Sequence, residues 1–137
     1  MPFYAEEFTV PAGTPQNSPQ ELEIEFKEKY INLVDVFFPE GCCNTVKLQV
    51  FYGIDQISPK RKGSYFQADG KWLRVLEFWS PEIYPFKLKF KAWSPEADYN
   101  HTLTIYAKTS EHPVGTIPVL LYKIGKILSE GLLGTRF

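Results

Sequence analysis

The chain has 137 residues, the length of one domain, and folding at that size buries roughly 68% of the surface an extended chain exposes. Aromatic residues make up 16% of it, with 11 Phe, 8 Tyr and 3 Trp against a single Met, which suits pleated, half-buried strands better than a helical bundle. With 15 basic and 16 acidic residues the formal net charge is −1, which argues against a general electrostatic grip on nucleic acid or anionic lipid.

Residues 4–10 alternate, Tyr4, Glu6, Phe8 and Val10 against Ala5, Glu7 and Thr9, and predict an edge strand. Three prolines and Gly13 make residues 11–20 a loop. Residues 21–28 alternate cleanly: Leu22, Ile24 and Phe26 face a core, while Glu21, Glu23, Glu25 and Lys27 face water. Residues 30–38 are mostly apolar, broken by Asp35, which is expected to meet solvent or a turn partner. Pro39-Glu40-Gly41 ends that strand.

In residues 45–53, Val46, Leu48, Val50 and Tyr52 point inward. A short extended piece, a basic loop at Lys60-Arg61-Lys62-Gly63 and a further short strand at 64–68 follow. Asp69-Gly70 is a favoured hairpin turn. Trp72-Leu73-Arg74-Val75-Leu76-Glu77-Phe78-Trp79 is apolar on both parities except at Arg74 and Glu77. A strand covered on both faces reads this way, so it is expected to be central. Residues 86–93 alternate strictly, with Phe86, Leu88, Phe90 and Ala92 in and Lys87, Lys89 and Lys91 out. Residues 101–108 set Leu103, Ile105 and Ala107 against Thr102, Thr104 and Tyr106.

About eight strands with turn signals every ~8–12 residues predict an all-β fold, an antiparallel β-sandwich or jelly roll, over residues 1–108. Residues 109–118, with Pro113, Gly115 and Pro118, read as a linker. In residues 119–137, Leu120, Leu121, Ile124, Ile127, Leu128 and Leu132 recur at spacings of three and four, the stripe of an amphipathic helix or arm. A helix of ~15 residues is marginal alone and must dock, either on its own domain or on a neighbouring subunit. No run approaches the ~18 apolar residues of a membrane span, so no membrane contact is expected.

Chemistry-bearing residues do not assemble into a motif. His101 and His112 connect to no nucleophile or metal set and read as structural or solvated. Cys42 and Cys43 are the only cysteines, and neighbours ~3.8 Å apart fall short of ordinary disulfide geometry. They read as a small buried residue and its neighbour at a turn. With no disulfide framework, intracellular synthesis is expected, and the start, which lacks a basic stretch followed by an apolar one, predicts no signal peptide. The lysine stripe reads as a solvated sheet face that discourages unwanted pairing, with nucleic-acid binding as the sharper alternative. Tyr84, Trp93, Tyr99 and Tyr65 lie in or beside loops. They either close the ends of the core or, with Tyr84, Trp93 and Tyr99 as a stacking platform, bind carbohydrate or a partner. No catalytic, cofactor or metal residue is expected.

From residue 4 to residue 108 the order of features resembles a type of small virion structural protein of tailed bacteriophages. The likeness runs through Val10-Pro11-Ala12-Gly13-Thr14, Ser18-Pro19, Phe38-Pro39-Glu40-Gly41-Cys42 and Val50-Phe51-Tyr52-Gly53. It continues at Gln56-Ile57-Ser58-Pro59 and Asn100-His101-Thr102-Leu103-Thr104-Ile105. The resemblance implies a non-enzymatic particle component made in the host cytoplasm, a head decoration or minor capsid protein in preference to a tail component. Its partners would be other virion proteins such as the major capsid protein, and further copies of itself. The motifs are mostly turn chemistry, and residues from 109 onward fall outside the pattern.

Overall fold

Period-two patterning sets down the strands. The computed structural model describes residues 3–111, which form β1 (Phe3–Val10), β2 (Gln20–Phe26), β3 (Tyr30–Phe38), β4 (Lys47–Tyr52), β5 (Asp55–Ser58), β6 (Lys71–Trp79), β7 (Phe86–Trp93) and β8 (His101–Ser110). They make two antiparallel four-stranded sheets, ordered β1-β8-β3-β6 and β2-β7-β4-β5. No helix occurs among the described residues. The aliphatic stripe from Leu120 to Leu132, and His112, lie outside them. β8 runs to Ser110, two residues past the expected boundary, because Thr109 and Ser110 pair with Ile31 and Tyr30 and are buried.

The alternating strands bury the side chains their pattern selects. Ile24 and Phe26 of β2, Leu48 and Val50 of β4, and Phe86, Leu88, Phe90 and Ala92 of β7 belong to one core cluster. Phe8 and Val10 of β1, Val34 and Val36 of β3, and Leu103, Ile105 and Ala107 of β8 belong to the same cluster, so the two sheets share a core. Fully burying one Phe, Leu, Ile or Val contributes about 1.5–3 kcal/mol. At one end Tyr52, Trp79 and Phe86 close this core, with Tyr52 and Phe86 rings 5.2 and 5.5 Å from Trp79.

β6 departs from expectation. It is the edge of its sheet, not a central strand, and Trp72 and Phe78 stand 55% and 67% exposed. Val34 pairs with Leu76 and Asp35 with Arg74, which leaves Val75 as an extra residue in a β-bulge. The bulge turns both Val75 and Leu76 into the core. Parity is therefore lost within one strand, and that mixed pattern imitates a strand buried on both faces.

Asp69-Gly70 does not make a hairpin either, because β5 and β6 belong to different sheets. Asp69 instead accepts hydrogen bonds from the backbone N–H groups of Gly41 (2.9 Å) and Cys43 (3.1 Å), tying two loops together. Among the described residues only β4 and β5 are consecutive strands paired in one sheet. Gly53 opens their two-residue turn at φ 63°, the first position of a tight hairpin, where glycine carries no steric cost. The expected strand at 64–68 reduces to a bridge between Phe66 and Leu48.

Candidate functional site

The aromatics singled out from sequence do not converge. Trp93 is 3% exposed and packs edge-on against Tyr65, with centroids 5.8 Å apart. Tyr84 precedes β7 and Tyr99 follows it, so they lie beyond opposite ends of a strand ~25 Å long. The Lys29 ammonium stands 5.0 Å from the ring centre of Tyr84, which is 47% exposed, and Tyr99 is 74% exposed. A three-ring platform of Tyr84, Trp93 and Tyr99 is not formed.

The lysine stripe meets a glutamate stripe. Glu21, Glu23 and Glu25 of β2 stand opposite Lys91, Lys89 and Lys87 of β7. Lys89 Nζ lies 3.8 Å from Glu21 and 3.9 Å from Glu23, and Lys91 Nζ lies 3.8 Å from Glu21. Cross-strand pairs of this kind contribute roughly 0.2–1 kcal/mol each and neutralise the face that a polyanion would need. The basic loop 60–63 is shaped by one side chain. The Gln56 amide donates to the carbonyls of Pro59 (2.8 Å), Arg61 (3.2 Å) and Ser64 (2.9 Å), and its oxygen accepts from Gly63 N–H (3.0 Å).

Cys42 is a packing residue of the core. Burial first, then the Asp69 carboxylate, pushes the Cys42 thiol up to about 11, so it stays protonated at neutral pH and is a poor nucleophile. Cys43 is exposed at φ 47°. His101 is buried at the start of β8. No group of three or more His, Cys, Asp or Glu is placed to hold a metal ion among the described residues.

Two apolar surfaces stand out instead, and both involve β6. The first is the outer face of the β1-β8-β3-β6 sheet. Here the Phe3 and Tyr106 rings stack at 5.6 Å, and Phe37 meets Trp72 at 5.2 Å. Asp35, opposite both Tyr106 and Arg74, holds the Arg74 guanidinium through bonds of 2.9 and 3.3 Å. Leu33 and Lys108 extend the same face by register. This is an aromatic surface crossed by an ion pair, the mixture found where proteins meet partners.

The second is a groove of about 460 Å³ where the β5 and β6 edges of the two sheets approach. Ile57, Phe66, Phe78 and Trp79 give it apolar walls, and Lys60, Arg74 and Glu77 supply charge. Ser58 Oγ donates to the Val75 carbonyl and joins the sheets across its floor. Phe78, at φ 44°, holds a backbone conformation that a bulky side chain rarely adopts. Ile83 and Tyr84, in the next loop, continue the exposed apolar surface beyond the end of β6.

Sequence reasoning missed Trp72 and Phe78 as surface residues. The signal was present at Arg74 and Glu77, since two charges inside a nine-residue strand are hard to reconcile with burial on both faces. Comparison with protein-family models and with curated proteins finds no match.

Proposed function

We propose that this protein is a non-enzymatic structural subunit of a tailed-phage virion, a capsid decoration or minor capsid protein whose body is a jelly-roll sandwich. The strand orders β1-β8-β3-β6 and β2-β7-β4-β5 carry this reading. They are the arrangement in which eight strands wind through two sheets as a double Greek key, an architecture that viral capsid domains share with lectins and cupins. Fold alone does not assign a role. The resemblance in the order of turn motifs and the exposed aromatic face support the virion reading among these.

In this role the ringed outer face is where neighbouring virion subunits rest. Trp72 beside Phe37 supplies a large rigid anchor, and the Arg74–Asp35 pair supplies a polar element at its centre. Mass spectrometry of purified particles tests the assignment. This chain is expected at a fixed stoichiometry to the major capsid protein, and its absence from particles containing the other structural proteins refutes the role.

The Trp72–Phe37 pair favours one competing reading, a carbohydrate-binding module that stacks a sugar on the outer sheet face. Glycan-array binding abolished by Trp72→Ala is its expected signature, and an array without binders removes it.

A further inference from the structure

We propose that the outer face of the β1-β8-β3-β6 sheet takes a second copy of this chain, packed face to face about a two-fold axis that runs along the strands. This names the occupant of the face read above as a subunit contact and rests on that reading, while its test needs only purified protein.

The register lays the face out in rows that cross all four strands. Glu7 on β1 and Trp72 on β6 end one row, Ala5 and Arg74 the next, and Phe3 and Glu77 the third. Between those ends Asp35 and Tyr106 occupy the middle row, and Leu33 and Lys108 the third. Acidic and basic groups alternate over the face, so a strongly acidic or strongly basic partner gains little from it. The other sheet's outer face is already closed on itself by the Lys89 and Lys91 pairs with Glu21 and Glu23. At the β6 edge, the bulge at Val75 and the left-handed backbone at Phe78 interrupt any ladder an added strand would form, so a copy arriving there packs on the face rather than extending the sheet.

Charge selects both the occupant and its orientation. Stacked sheets lie ~10 Å apart with their strands within about 30° of each other. A two-fold axis along the strands sets β1 of one copy over β6 of the other and β8 over β3, with each row on its own counterpart. Arg74 then lies over Ala5, the smallest side chain on the face. Glu7 stands two residues along the same strand, ~7 Å away, within reach of the guanidinium. Asp35 lies over Tyr106, Lys108 over Leu33 and Glu77 over Phe3, so no charge faces its like. An axis across the strands would instead set Asp35 on Asp35 and Arg74 on Arg74 in the middle row, a juxtaposition that opposes binding. The four strands and three rows cover about 19 by 20 Å. Two copies therefore bury on the order of 1,000 Å², the weak end of specific interfaces.

Sedimentation of the full-length protein from ~1 μM to ~1 mM, the range expected for an interface of that size, tests this. The average mass is expected to climb from 15.8 kDa towards twice that value. Trp72→Asp, and separately Ala5→Arg, which sets a cation against Arg74, should each weaken association at least about tenfold. Lys87→Asp, on the other sheet, should leave it unchanged. In a Cys43→Ser background, a bis-maleimide of ~10 Å reach is expected to join Ala5→Cys chains to Arg74→Cys chains and to join neither variant to itself. A mass that stays at the monomer value throughout gives the face to a different protein or to a sugar and overturns the proposal, while leaving the particle assignment to its own test. Association indifferent to both Trp72→Asp and Ala5→Arg, or Ala5→Cys chains that link to one another, also overturns it.

Discussion

Glu28 shows how single side chains hold the ends of this body together. Its Oε1 accepts from Tyr4 Oη at 2.6 Å and from Thr109 Oγ1 at 2.9 Å, joining the β2–β3 turn to β1 and β8. Burial raises the Glu28 pKa, but the bonds from Tyr4 and Thr109 outweigh it, and the carboxyl sits below its ordinary value. A carboxyl lowered by folding adds stability above its unfolded pKa and loses it as pH falls through the folded value. Glu28→Gln should therefore flatten the acid limb. Denaturant midpoints should fall less between pH ~7 and pH ~3 in the variant than in the parent, a range that brackets ordinary carboxylate titration. A glycine makes a second test at this scale. Gly70 has φ 60°, and a Cβ there would meet Glu40 Cγ at 2.9 Å, whereas Gly13, at φ 72°, has open space. Gly70→Ala and Gly13→Ala should each cost about 1 kcal/mol or more for backbone strain, with the larger loss at Gly70, measured by urea unfolding.

At the scale of elements β6 is the informative strand. Alternation made the inward faces of β2, β4, β7 and β8 legible, because none of them carries the extra residue of a bulge itself. β6 could not be read in the same way. The extra residue Val75 shifts its parity halfway along, so Val75 and Leu76 both fall inside, and a second break at the left-handed Phe78 leaves Glu77 and Phe78 both outside. The two readings of β6 differ in measurable cost. Trp72→Ala should lower unfolding stability by less than about 1 kcal/mol, as for exposed positions generally, whereas Leu76→Ala should cost about 2–5 kcal/mol. Similar large losses at both would return β6 to the sheet interior. Phe78 adds a sharper contrast. Phe78→Gly relieves the left-handed conformation that Phe78→Ala retains, so the glycine variant should be the more stable by about 1 kcal/mol, again by urea unfolding.

At the scale of the molecule, strand count and class were legible while strand partnership was not. Residue patterns record which side of a strand is apolar, but not which strand lies beside it. Here β1 to β8 pass between the sheets at every step except β4 to β5, so neighbours in sequence are seldom neighbours in a sheet. For the same reason the candidate aromatics could not be grouped from sequence: Tyr84 and Tyr99 flank one strand yet occupy opposite ends of the body. Topology also brings Trp72 to Phe37 and Phe3 to Tyr106 across one sheet face, from positions far apart in the chain. The virion reading makes that face the place where neighbours grip the body. Its most direct test is the incorporation of a Trp72→Asp variant into particles, after equal urea midpoints have shown that the variant folds as the parent does. The account predicts at least about a tenfold loss of binding, the equivalent of ~1.4 kcal/mol at one anchor residue. Incorporation equal to that of the parent protein would contradict it.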